Sequence, residues 1–279
     1  MRKVKSLIIT GFGINCEEEL TAAYNLSGAI TKQVHLNDIF LGKETIHNYD
    51  ILNFPGGFSF GDDLGSGKVL ANKMKYKQIA NGNLFFDEIR NFIAAGKYIL
   101  GICNGFQFLV KMGLLPNLNG RFEQEVTLTH NDSGKFEDRW SYLNINKLTI
   151  TPFLKKIETI FLPIRHGEGK LIIKDENIRE QIVKNNLNCM SYCKQNGDIT
   201  AEYPANPNGS ELNCAALTDK SGHILGMMPH PEAFLSLYNH PNWNQIISEN
   251  ENHSEKGQGL QIFENIVNYI ERKKSEKSE

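Results

Sequence analysis

The stretch YILGICNGFQFLVKMG, residues 98–113, leaves a single residue between a strand and a helix. Residues 98–102 form a short apolar run of the kind buried strands show. From Asn104 to Met112 the apolar residues Phe106, Leu109 and Val110 repeat at helical spacing, and Gly113 follows as a C-terminal cap. Cys103 therefore falls on the turn, between Gly101 and Gly105. A cysteine at such a point projects above a sheet edge and faces the positive end of a helix dipole, which favours the nucleophilic thiolate. Small neighbours let a substrate approach the backbone closely. A core cysteine is the competing reading, because a free Cys is more often a buried apolar residue.

The same alternation runs through the first part of the chain. Residues 6–10, 32–36, 50–54 and 98–102 read as strands. Residues 17–26, with Asn15 as a cap, 64–80 and 83–95 read as helices. Strands separated by helices imply a parallel sheet with helices on both faces, and such sheets bind ligands at the carboxyl ends of their strands. Cys103 lies at such an end. Residues 120–230 change character. EVTLTH, SYLNIN, TIFLPI, KLIIK, NCAALT and ILGMM are short strand candidates, and only 177–185 looks helical. Residues 259–272 read as an amphipathic closing helix. The expected fold is α/β, an open, mostly parallel sheet flanked by helices with an additional β-rich segment. No linker or repeat interrupts the 279 residues, so one domain is expected over 1–279.

Composition excludes several classes of function. The formal net charge of −2 gives no reason to expect nucleic-acid binding, and no segment approaches the length of a membrane span. The basic N-terminus leads into too short an apolar run for a signal peptide. Five irregularly spaced cysteines, Cys16, Cys103, Cys189, Cys193 and Cys214, point to a reducing, cytoplasmic setting. Cys189 and Cys193 are four apart rather than three, so neither a zinc site nor a redox pair is expected. The Asn-x-Ser matches at Asn25, Asn131, Asn208 and Asn252 carry no meaning in that setting.

Two glycine-rich stretches are cofactor decoys. GFGINC, residues 11–16, lacks the third glycine of a dinucleotide fingerprint. DDLGSGKV, residues 62–69, has Asp62 and Val69 where a phosphate loop needs Gly and Ser or Thr. FPGGFSFGDD, residues 54–63, is a strand end with adjacent glycines, suited either to a plain turn or to backbone donors for an oxyanion. Two His–Glu pairs could supply a base and its orienting carboxylate. His230 and Glu232 sit in the stiff GMMPHPEAF, residues 226–234, and His166 and Glu168 in the glycine-flanked RHGEGK, residues 165–170. Residues two apart share a side of an extended segment, and spacing alone does not choose between the pairs.

Taken together, PGGFSFGD, GICNGFQ and PHPE resemble the class I, triad-type glutamine amidotransferases, of flavodoxin-like fold. NCEEE (15–19), PGGFSFGDD (55–63), LGICNGFQ (100–107), HGEGK (166–170), YPANPNGS (203–210) and GMMPHPEAF (226–234) bring the chain close to the glutaminase subunits of phosphoribosylformylglycinamidine synthase in purine biosynthesis. These stretches run in the family's order over nearly the whole chain. The resemblance implies a triad of Cys103 as nucleophile, His230 as general base and acid, and Glu232 as the group that orients His230. It implies an oxyanion hole from the backbone N–H groups of Gly57 and Asn104, and a glutamine pocket lined by Phe58 and Gln107. His166 and Glu168 then belong near the pocket or a subunit interface. It further implies glutamine as substrate and ammonia delivered to a larger synthase subunit that uses ATP and magnesium. A small bridging subunit would join the two, and this chain itself would need no cofactor or metal. The run GDDLGSGKVLANK departs from the family's compact form, a difference expected on the partner-facing surface. Activity is expected to be weak without the partner. Other cysteine hydrolases on this scaffold take a histidine from just after the nucleophile, where this chain has Asn104. A non-catalytic regulatory module would have had no reason to keep all three triad residues.

Overall fold

The computed structural model describes residues 3–61, 64–249 and 253–276. Asp62, Asp63, Asn252 and the last three residues of the chain lie outside the described residues. In chain order the elements are β1 (Lys5–Thr10), α1 (Glu17–Leu26), β2 (Ile30–His35), α2 (Leu36–Phe40), β3 (Ile51–Phe54), α3 (Lys68–Tyr76), α4 (Phe85–Ala94), β4 (Tyr98–Ile102) and α5 (Asn104–Lys111). There follow β5 (Val126–Thr129), β6 (Glu137–Ile145), β7 (Thr159–His166), β8 (Lys170–Ile173), α6 (Glu176–Lys184), β9 (Asn188–Cys193), β10 (Cys214–Thr218), β11 (Ile224–Met227), α7 (Trp243–Glu249) and α8 (Leu260–Glu276).

Nine strands form one sheet in the order β2-β1-β3-β4-β11-β10-β9-β6-β7. The pairs from β2 across to β11 are parallel. Those from β11 to β7 are antiparallel. The expected α/β sheet is thus present. Most of the β-rich segment continues it as an antiparallel half, while β5 and β8 make a separate two-stranded sheet. The central strands are buried along their whole length, as in β4 and β11, which is why they read as unbroken apolar runs. Helix α5 packs against β4, β3 and β11 and beside α3, while α1 packs against α8. Tyr24 of α1 meets Phe263 of α8 edge to face at 5.1 Å, and its hydroxyl donates to Asn53 Oδ1 on β3 at 2.7 Å. Asn53 Nδ2 in turn donates to Ser6 Oγ, so the polar group inside the sheet is satisfied.

Local chemistry accounts for several departures from expectation. The helix expected over 64–80 shortens to Lys68–Tyr76, because Gly65 and Gly67 adopt positive φ ahead of it. The strand expected over 32–36 stops at His35, whose imidazole accepts from the Asn37 N–H and starts α2. Asn15 does not cap α1: Cys16 occupies the cap position without a capping side-chain bond. Gly113 lies one residue beyond the cap of α5, at φ 73°. Strand β9 and helices α2 and α7 had no counterpart in the sequence pattern.

Candidate active site

The three parallel strands β3, β4 and β11 end together. Phe54 pairs with Gly101, and Met227 with Ile102. The loops that leave these ends carry Gly56–Phe58, Cys103 and His230, so the topology gathers the three motifs at one carboxyl edge.

Cys103 is the hinge between β4 and α5, at φ 51° and ψ −104°. A non-glycine residue at positive φ costs on the order of 1–3 kcal/mol and persists only where its surroundings impose it. They do so here. The Cys103 N–H donates to Met227 O at 2.7 Å, its carbonyl accepts from the Gln107 N–H at 3.0 Å, and Sγ lies 3.5 Å from Arg165 O. Gly105 makes the sharp turn feasible, since a Cβ there would sit 1.9 Å from Phe54 O. As the first residue of α5, Asn104 has a backbone N–H with no acceptor inside the helix.

The His230 N–H donates to Pro163 O at 2.8 Å, which fixes the PHPE segment against β7. Its Nδ1 lies 2.6 Å from Glu232 Oε1, and both residues are only 3 % exposed. Burial opposes charge on His230, but the Glu232 carboxylate beside it and the Cys103 and Cys16 thiols outweigh it, and the imidazole is held well above its ordinary pKa. Neither thiol reaches hydrogen-bonding geometry with Nε2, which has no partner. Both are close enough to bias its charge.

The other His–Glu pair is split. His166 Nδ1 faces Asn131 Oδ1 at 3.1 Å, while the Glu168 carboxylate accepts from the Ser66 N–H at 3.2 Å. Asn131 Oδ1 also accepts from the Gly169 N–H, which makes His166 Nδ1 the donor and leaves Nε2 with a bare lone pair. Burial, together with the charge of His230, pushes the His166 pKa down to about 3. His166 is therefore neutral near pH 7, and no carboxylate orients it.

The remaining sequence candidates surround this centre. Gln107 Nε2 donates to Glu168 O at 2.7 Å and its Oε1 accepts from Asn104 Nδ2 at 3.0 Å, so it ties α5 to the 166–169 segment. Asn104 Oδ1 accepts from the Ser59 N–H at 3.2 Å, which anchors the glycine loop to the same helix. Gly57 stands at φ 143°, a conformation that favours glycine. Phe58 is about half exposed and approaches Phe136. Cys16, at the head of α1, lies beside His230, a proximity that neither spacing nor periodicity could reveal.

A model described as CobB/CobQ-like glutamine amidotransferase domain matches residues 3–270. The chain belongs to this family. It is 41 % identical over 270 residues to the phosphoribosylformylglycinamidine synthase subunit PurQ of Dehalococcoides mccartyi, covering 96 % of this chain and 98 % of that one. It is 38 % identical over 275 residues to the PurQ of Methanococcus maripaludis strain C7, with the same coverage. Among solved structures, PurLQS from Thermotoga maritima superposes with a TM-score of 0.69 at 28 % identity, covering 96 % of this chain and all of that one. A putative GMP synthase component from Thermoplasma acidophilum, at 14 % identity and a TM-score of 0.53 with full coverage of both chains, shares the fold. Among the described residues, no helix of this family member is long and apolar enough to cross a membrane.

Proposed function

We propose that the chain is the glutaminase component of a phosphoribosylformylglycinamidine synthase, releasing ammonia from glutamine through Cys103, His230 and Glu232. The observation that supports this most directly is the convergence at one sheet edge of a strained cysteine, a buried His–Glu pair and a glycine loop. The near full-length similarity to PurQ subunits gives the pathway.

In this reading the Cys103 thiolate adds to the side-chain amide carbon of glutamine, and the carbonyl electrons move onto oxygen. The N–H groups of Gly57 and Asn104 stabilise that oxyanion. The raised pKa of His230 keeps an imidazolium available to protonate the leaving nitrogen, and the C–N bond breaks to release ammonia. His230, now neutral, takes a proton from water, whose oxygen attacks the glutamyl thioester. Collapse frees glutamate and restores the thiolate. Glu232 acts through His230 and is a positioning residue. Phe58 and Gln107 line the substrate pocket, with His166 and Glu168 at its edge or at an interface.

The PurLQS assembly of the Thermotoga maritima relative supports a larger synthase partner and a small third subunit for this chain. ATP and magnesium would serve the synthase, in the cytoplasm. Ammonia release from glutamine, measured with and without that partner for wild type and Cys103→Ala, tests the reading. Release by wild type alone supports it. Activity that survives the substitution removes Cys103 from its role, and inactivity of the loaded complex favours a regulatory module.

A further inference from the structure

The proposed reaction needs one thiol, yet a second lies beside the same imidazole. Cys16 Sγ, a ring nitrogen of His230 and a carboxylate oxygen of Glu232 all lie within 4.8 Å of one another. Gly56 backs this group closely: a Cβ there would fall 3.1 Å from Cys16 Sγ and 2.8 Å from His230 Cε1. One of the three residues also has an idle donor atom facing this group: Glu232 Oε2 is buried without a hydrogen-bond partner, a rare state for buried polar atoms.

We propose that Cys16, His230 and Glu232 form a site for a zinc-class divalent cation, whose occupation silences the triad. A sulfur, an imidazole nitrogen and a carboxylate oxygen are a ligand set that zinc accepts, with a fourth position left to water or another donor. Two ligands about 2.0–2.3 Å from a tetrahedral metal stand more than about 3 Å apart, farther than the 2.6 Å between His230 Nδ1 and Glu232 Oε1, so the cation takes the place of the proton between those two atoms, which separate to admit it. The exchange balances simply. The cation takes the sulfur lone pair as the Cys16 proton leaves, and a protonated His230 gives up its proton as well. With Nδ1 bound to the cation and parted from Glu232, His230 can no longer cycle between imidazolium and neutral imidazole, so it serves neither the departing nitrogen nor the attacking water. The Cys189 and Cys193 spacing has no bearing on this set, whose members come from opposite ends of the chain.

Zinc titration of the full chain by calorimetry, in thiol-free buffer, tests the site without reference to turnover. Cobalt substitution adds a sulfur-to-metal charge-transfer band as a direct signature of the thiolate ligand. Wild type is expected to bind one equivalent, and Cys103→Ala to retain it. Cys16→Ala should lose at least about tenfold in affinity. Zinc inhibition of that variant's glutaminase, read against its own metal-free rate, should weaken correspondingly. Cys16→Ser provides the same comparison should the alanine variant fold poorly. Three results would overturn the site: no stoichiometric binding by wild type, equal affinity in wild type and both Cys16 variants, or loss of binding in Cys103→Ala.

Discussion

His230 Nδ1 and Glu232 Oε1 lie 2.6 Å apart in a pair almost sealed from solvent, so the charge of one sets the proton affinity of the other. Glu232→Gln keeps the shape and removes the charge. By analogy with triads in which the orienting acid is amidated, glutaminase kcat/KM should fall on the order of 10²- to 10⁴-fold. The alkaline limb of the pH profile, where His230 loses its proton, should move to lower pH. A variant with an unshifted limb would show that Glu232 does not hold that proton.

The two buried histidines should act on stability in separate pH windows. His166 has its pKa lowered to about 3, against about 6.5 for an unfolded histidine. Between those values the unfolded chain binds a proton that the fold refuses, so stability drops as pH falls, by about 1.4 kcal/mol per pH unit. His230 is raised, so its contribution is complete below about pH 6.5 and is lost as pH climbs through its folded pKa. Urea midpoints against pH should lose the acidic slope in His166→Asn and the alkaline slope in Glu232→Gln. Curves that superpose on wild type would refute both assignments.

Gly105→Ala should destabilise the chain by at least about 1–3 kcal/mol, because its methyl would meet Phe54 O at 1.9 Å and push α5 off the sheet. Gly167→Ala is the matched control, since a Cβ there finds only Phe136, at 3.9 Å. Denaturant midpoints that fail to separate the two would contradict the close packing at the turn.

Asn131 donates to the Lys135 and His166 carbonyls and accepts from the Gly169 N–H and the His166 ring. Asn131→Ala should cost about 1–3 kcal/mol through the groups left buried and unpaired. Faster amide hydrogen exchange at Gly169 should accompany that loss. Unchanged protection would mean that the loop is held by other contacts.

The parallel strands β1, β3 and β4 were legible because they are largely buried on both faces and the turns after them are marked by glycine. The Cys103 turn could be placed to the residue for that reason. Strand β9, NCMSYC, was invisible: it mixes small polar residues and cysteines without alternation, and only its place between β10 and β6 makes it a strand. The choice between the two His–Glu pairs was also beyond spacing. It depends on Asn131 and Ser66, whose bonds draw His166 and Glu168 to different partners. The neighbourhood of Cys16 depends on strand order, which no local pattern encodes.

Strand β4 has one neighbour, β3, that precedes it in the chain and another, β11, that arrives only after the whole antiparallel half has been made. A nascent chain that has just emerged past residue 111 therefore owns a cysteine on its turn but neither the Met227 carbonyl that anchors that cysteine nor the imidazole that serves it. On the proposed mechanism that thiol is unarmed until the segment carrying Met227 and His230 has been made. Glutamine would then be spared by half-built copies of the protein, and turnover would report that β3, β4 and β11 have come together.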